Sequence, residues 1–434
     1  MESSAARLLQ LRCAVQHYEW GHRGNASLVA RLANAHGDDP VNPTRRYAEF
    51  WMGTHPSAPS ELVDGGNGTR LLLKDWLLRN PDVLGPAVAA RWEGHLPFLF
   101  KVLSVAKALS IQAHLDKKLA ETLHALRPET YKDDNHKPEM AIAVTQFRAL
   151  CGFVGTQELK EIFRTVPELK DLVGHKDTDK LVTMEYDWGD KVKSNLQSAF
   201  TMLMTASKHM VSEAIAKLIN RLNAESEIRA LTEKEQLVLS LERQYEEDVG
   251  VLAALFFNYV KLNPDEALYI DANEPHAYLS GECIECMATS DNVVRAGMTS
   301  KYRDVETLCS MLTYNQTFPK ILVGIPVQPH VTRYIPPFDE LEVDLCMVPQ
   351  GEDVVIPSIP GPSIFLVMAG EGEIQLLAAA GNNNNKHAKE GDVFFVAAYS
   401  KVKLSAAASS SDGYMHVYRA GVNNKFLASK ETSK

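Results

Sequence analysis

The sequence predicts a mainly β protein interrupted by an all-α insertion, with two jelly-roll domains built around the β segments. Three observations carry that reading. Residues 154–260 contain one proline, Pro167, of the 21 in the chain, and their apolar residues recur at helical spacing. The flanking segments are short β-branched or aromatic runs separated by Gly, Pro and Asn turns, the texture of a sandwich or jelly roll. A faint repeat links the two β segments. Asp265 opens a buried run and precedes His276 by eleven residues; Asp392 does the same and precedes Lys403 by eleven.

The elements follow in chain order. Leu96–Ser104 and Glu139–Val144 read as buried strands, and Ser110–His114 as a strand with period-two alternation. In the insertion, Phe200, Leu203, Met204, Met210, Ile215, Leu218, Ile219 and Leu222 form a helical stripe. Leu237, Leu241 and Tyr245 run four apart, and Val249, Leu252, Phe256 and Tyr259 continue that face. Thr232 with Glu235 is a capping box that opens this helix. After residue 260 the β texture resumes, and Asp353–Pro357, Ser363–Met368, Gly372–Leu377 and Asp392–Val396 read as strands of the second jelly roll. The expected division is residues 1–153 with 261–330 as a discontinuous metal-binding domain, 154–260 as the helical domain, and 331–434 as a jelly roll without metal.

Composition limits the function. The 434 residues carry a net charge of −10, and an acidic surface repels phosphate backbones, so nucleic-acid binding is not expected. No stretch approaches the roughly 20 apolar residues of a membrane span, and the N-terminus lacks a secretory pattern. Six sparse cysteines suit a reducing compartment, and the expected location is cytoplasmic.

Three polar clusters sit on expected β structure. Gln112 and His114, two apart, point to one side of their strand about 7 Å from each other. Asp133–Glu139 ends with a carboxylate just inside a buried strand, where it needs a partner. His276 follows a Pro turn at a strand entrance. Each alone is a weak signal, since unliganded pairs and solvated turns are commoner. Together they offer two imidazoles, a carboxylate and an amide oxygen, a set suited to a borderline divalent ion such as zinc. A fourth stretch runs from Glu282 to Lys301. Its Cys283 and Cys286 fall on opposite faces of a strand and lack a second pair, which argues against a thiolate site. Arg295 and Lys301, six apart around Gly297, form a cationic pair that can clamp a phosphate or simply be solvated.

These stretches resemble the type I phosphomannose isomerase family, zinc enzymes of the cupin superfamily. The resemblance rests on Tyr18-Glu-Trp-Gly, Tyr47-Ala-Glu-Phe-Trp-Met-Gly-Thr-His, Pro97-Phe-Leu-Phe-Lys-Val-Leu and Leu109-Ser-Ile-Gln-Ala-His. It continues through Asp133-Asp-Asn-His-Lys-Pro-Glu-Met, Leu150-Cys-Gly-Phe, Asn273-Glu-Pro-His-Ala-Tyr and Ser290-Asp-Asn-Val-Val-Arg-Ala-Gly. Leu115 and Ser300 depart from the family, which usually has proline at both positions. The resemblance implies cupin-type jelly rolls and a single zinc held by Gln112, His114, Glu139 and His276. It implies Arg295 in catalysis, His136 in ring opening, and Glu285 and Asp291 as acid–base or orienting groups. Lys101, Ser110, Lys137 and Lys301 would hold the substrate. The implied reaction interconverts mannose 6-phosphate and fructose 6-phosphate through an enediol and feeds GDP-mannose synthesis. The enzyme is expected to be a monomer, with a phosphosugar as its partner. Two readings stand beside this one. A metal-dependent oxygenase would bind iron and take up oxygen. A non-catalytic protein with two jelly rolls would bind a ligand without turning it over.

Overall fold

The computed structural model describes residues 8–35, 40–63, 70–183, 189–377, 384–408 and 413–431. Two large antiparallel assemblies dominate, one of eleven strands and one of nine, and a four-stranded sheet accompanies the second.

The long strand His276–Ala288 organises the first assembly. Its second half pairs with Phe98–Val105 on one side and Glu139–Ala143 on the other. Its first half pairs instead with Phe147–Phe153, and His276 is in register with Gln112. One strand therefore serves two sheet walls, and the change happens at Gly281. Its φ is +109°, and a Cβ there would stand 2.4 Å from the Gln146 carbonyl oxygen. Glycine permits a bend that other residues resist.

Each wall is backed by a different core. Phe98, Phe100, Val102, Ile284 and Cys286 point outward into a core shared with the second β assembly. Their alternate neighbours, Lys101 and Glu285, point inward. On the other wall Ile111, Ala113, Leu115, Ala277 and Leu279 pack against the helices, so Gln112, His114 and His276 face inward. The period of two thus turns apolar residues toward two cores and polar residues toward one cavity. Cys283 and Cys286 join different cores, as the alternation requires.

Among its described residues the insertion, from Thr156 to Phe256, is built of helices joined by turns, and no strand occurs among them. It ends before 260, because Phe257–Leu262 is a strand paired with Phe147–Phe153. The capping box at Thr232 and Glu235 is present. The two apolar stripes are each divided. One is shared between helices Asp190–Thr205 and Lys208–Ser226, with Met210 exposed in the first turn of the second. The other stops at Glu242, and Tyr245 lies in a turn before Val249–Ala253.

The expected domain limits also shift at the N-terminus. Leu8–Arg12 pairs with Val393–Val396 and belongs to the nine-stranded sheet, not to the eleven-stranded assembly. Alternation alone does not reveal which sheet an edge strand joins. Strand Ile325–Gln328 likewise joins that sheet ahead of residue 331. Lys403, the counterpart of His276 in the repeat, pairs with Asp353 at 3.3 Å on the four-stranded sheet.

Candidate metal centre

Four side chains converge at the cavity floor. Gln112 comes from the short strand Ile111–Ala113, His114 from just beyond it, Glu139 from the first position of its strand, and His276 from the start of the long strand. His114, Glu139 and His276 are each 1% exposed. The two histidines present Nε2 inward because Nδ1 is occupied. His114 Nδ1 donates to the Asn292 carbonyl at 2.9 Å, and His276 Nδ1 to the Glu274 carbonyl at 3.1 Å.

The spacing fits a tetrahedral cation. His276 Nε2 lies 3.1 Å from Glu139 Oε1 and His114 Nε2 lies 3.2 Å from Glu139 Oε2, and the Gln112 side chain stands beside them with its Nε2 3.5 Å from His276 Nε2, so that turning the amide over presents Oε1 to the same point. Ligands bound at 2.0–2.1 Å in a tetrahedron stand about 3.3 Å apart. His114 Nε2 is buried and makes no well-formed hydrogen bond. Burial pushes the His114 imidazole down to about 4, and the Lys137 charge acts in the same sense, so its lone pair is free at neutral pH. Burial opposes charge on Glu139, but the neighbouring His276 more than offsets it, and the carboxyl stays well below its usual range. The Tyr278 hydroxyl donates to Glu139 Oε1 at 3.0 Å and fixes it further. An orphaned imidazole, a second tethered imidazole and an ionised carboxylate are the donor set that zinc takes.

Above the floor is a cavity of ≈ 840 Å³. Lys101, Lys107, Lys132, Lys137, Arg295 and Lys301 line it, against five acidic residues. An anion is therefore favoured here although the whole chain is acidic. Arg295 is the cross-strand neighbour of Gln112. Burial lowers the pKa of its guanidinium, which has no ion pair among the described residues. Burial likewise lowers Lys137, with Glu139 opposing, and Lys137 is also unpaired among the described residues. Lys101 differs, because its ammonium lies 2.7 Å from Glu285 and 3.4 Å from Glu49. Burial raises the Glu285 carboxyl, and Lys101 opposes the rise. Ser110 Oγ donates to Gln112 Oε1 at 3.4 Å. Asp291 and exposed Lys301 stand at the rim, and the His55 ring 3.4 Å from Asp291 lowers that carboxyl.

One expected residue is not brought in. The His136 ring is committed elsewhere: its Nε2 lies 2.8 Å from Glu340 Oε1, in the segment that leads into strand Glu342–Pro349.

Several groups in the site were not singled out from sequence. Glu49 and Trp51 alternate on one strand, and Trp51 Nε1 donates to the Glu49 carboxylate. Period two within Tyr47–His55 was the available signal. Asn292 acts through its backbone carbonyl, for which a side-chain motif offers no signal. Tyr278, two residues after His276, shared its strand face and could have been found the same way.

The comparisons agree with this geometry. A family model described as the phosphomannose isomerase type I catalytic domain matches residues 8–155, and the type I helical insertion domain matches 172–257. Mannose-6-phosphate isomerase 1 of Arabidopsis thaliana is 53% identical over 426 residues, covering 98% of this chain and 96% of the relative. The Homo sapiens mannose-6-phosphate isomerase is 41% identical over 378 residues, covering 85% of this chain and 88% of the relative. A crystal structure of mannose 6-phosphate isomerase bound with zinc and yttrium superposes with a TM-score of 0.78 at 27% identity, over 96% of this chain and 99% of that one.

Proposed function

The chain belongs to the type I phosphomannose isomerase family, and on that premise we propose how its cavity residues divide the work. The reaction is the interconversion of mannose 6-phosphate and fructose 6-phosphate, and the cofactor is zinc. The observation that carries the assignment of residues is the buried Glu139 carboxylate between His114 and His276, beneath unpaired Arg295 and Lys137. Gln112, His114, Glu139 and His276 hold the ion. Zinc bound there supplies a Lewis acid that polarises the sugar carbonyl.

The remaining steps belong to side chains. The cavity cations Arg295, Lys137 and Lys301 hold the phosphate and the open-chain oxygens, so binding energy remote from C1 and C2 orients the sugar. Arg295, beside Gln112, stabilises the negative charge that develops on the enediol oxygens. Glu285, a buried carboxyl facing the cavity beside the Lys101 ammonium, moves the proton between C2 and C1. Lys101 keeps Glu285 and Glu49 apart and oriented, Asp291 orients the substrate at the rim, and Ser110 steadies Gln112 beside the phosphate. His136, tied to Glu340, is assigned no step.

The relatives support neither an oxygenase nor a non-catalytic ligand-binding protein. No helix among the described residues is long and apolar enough to cross a membrane. A monomer in the cytoplasm completes the proposal, the compartment supported by six free cysteines. The test is Glu285→Gln. Turnover of mannose 6-phosphate should fall by roughly 10²–10⁴-fold, the usual worth of a positioned base, with zinc retained. Unimpaired turnover would reject Glu285 as the proton carrier.

A further inference from the structure

The helical insertion meets the cavity at one turn, residues 243–248, between helices Glu233–Glu242 and Val249–Ala253. Side chains of this turn are committed to two cavity walls. Gln244 Oε1 accepts from the Ala108 amide at 2.8 Å, the Tyr245 hydroxyl donates to the Ala108 carbonyl, and the Lys107 ammonium sits 4.0 Å from the Tyr245 ring centre. Those contacts hold the wall that carries Lys107 and Ser110.

Asp248 holds the opposite wall. Its Oδ1 accepts from the Met298 amide at 2.6 Å and from the Gly250 amide at 2.7 Å, and Oδ2 accepts from the Thr299 amide at 3.1 Å. Only Gly250 belongs to the helix that Asp248 caps. Met298 has a φ of +53°, uncommon for a residue with a side chain, so its peptide needs support from outside. Gly297 and Gly250 pack backbone to backbone. A Cβ on Gly297 would stand 2.5 Å from the Gly250 Cα, and a Cβ on Gly250 would stand 2.5 Å from the Met298 amide nitrogen. The segment fixed this way begins two residues after Arg295 and ends at Lys301, and both of those side chains line the cavity.

We infer that Asp248 is a positioning residue for the phosphosugar, holding the 297–301 loop in its substrate-binding form from within the helical insertion. The inference rests on the proposed assignment of Arg295 and Lys301 to substrate binding. It gives the insertion a task that involves no contact with substrate: the Asp248 carboxylate sets where Lys301 stands and how the chain leaves Arg295.

The experiment compares Asp248→Ala, Asp248→Asn and Lys301→Ala with the unaltered zinc enzyme. It measures KM and kcat for mannose 6-phosphate, inhibition by inorganic phosphate, zinc content and thermal unfolding. In Asp248→Ala, KM and the phosphate inhibition constant should rise together by about tenfold, the loss expected when charge-assisted hydrogen bonds disappear. Turnover should change by less than about threefold and zinc content should hold. Asn keeps one acceptor oxygen and gives up the Thr299 contact, so Asp248→Asn should show the same paired rise at smaller size, and it carries the test if the alanine variant does not fold. Unchanged KM and phosphate inhibition in a folded Asp248 variant would overturn the inference, as would a fall in kcat alone. If Lys301→Ala raises both constants while the Asp248 variants do not, only the inference fails. If Lys301→Ala changes neither, the substrate assignment of the loop fails and the inference with it.

Discussion

Replacing Lys101 with methionine removes the one cation between two buried carboxylates. Its ammonium lies 2.7 Å from Glu285 and 3.4 Å from Glu49, and the three side chains are 7%, 5% and 10% exposed. Methionine fills much of the volume against Trp51, so the loss is mainly electrostatic. Removing one partner of a buried pair costs about 3–5 kcal/mol. The unfolding entropy is about 2.1 cal/mol/K per residue. Over 434 residues unfolding as one unit that is about 0.9 kcal/mol/K, so Tm should drop by about 3–6 °C. The pH dependence has a definite sign. Burial already raises Glu285, and without Lys101 it should rise further. A group whose folded pKa is raised stabilises fully below its unfolded pKa, and that contribution is lost as pH rises through the folded pKa. The gap between the variant and the unaltered protein should therefore be wider at about pH 8 than at about pH 5.5. Scanning calorimetry at both pH values measures this, and Lys101→Met with Glu285→Gln should recover most of the loss. A Tm within about 1 °C of the unaltered protein, or a gap independent of pH, would refute the reasoning.

Other expectations follow from the same geometry. Arg295→Lys keeps the charge but loses the planar fork. Steady-state kinetics should show kcat lower by roughly two to three orders of magnitude with zinc content unchanged, and a near-normal kcat would leave Arg295 as a phosphate anchor. Gly281→Ala places a Cβ 2.4 Å from the Gln146 carbonyl at a φ of +109°. Unfolding should show a loss of about 1–3 kcal/mol, and a neutral result would mean the strand bend relaxes freely. Glu340→Ala frees the His136 ring and removes its charge-assisted hydrogen bond, which should cost about 1.5–3 kcal/mol in an unfolding measurement. Unchanged stability would mean that the His136–Glu340 contact contributes nothing to the fold.

The four proposed donors each carry a local sign in the sequence, weak alone and drawn together by the family resemblance. Gln112 and His114 share a strand face, Glu139 is a carboxylate leading an apolar run, and His276 ends a Pro turn. Lys101 was legible only through its family motif and Glu285 only as what the resemblance implies, since by pattern they interrupt buried strands. The fold class was readable from the change of period near 154 and near 260. Its limits were not, because the return to β structure at Phe257 begins with aromatic residues that continue the helical stripe. The membership of Leu8–Arg12 in the nine-stranded sheet depends on pairing with Val393–Val396, a contact across nearly the whole chain that no local pattern encodes. The place of His136 depends in the same way on Glu340, 204 residues away.

The central claim is that one ion at Gln112, His114, Glu139 and His276 supports the isomerisation. Its most direct test is to strip the protein with a chelator, titrate zinc back, and follow conversion of mannose 6-phosphate to fructose 6-phosphate at each step. Activity should return linearly and stop at one zinc per chain, while Glu139→Gln and His276→Ala, folded by circular dichroism, should neither bind that equivalent nor regain turnover. Full turnover in the stripped protein, or one tightly bound zinc with normal activity in either variant, would contradict the account.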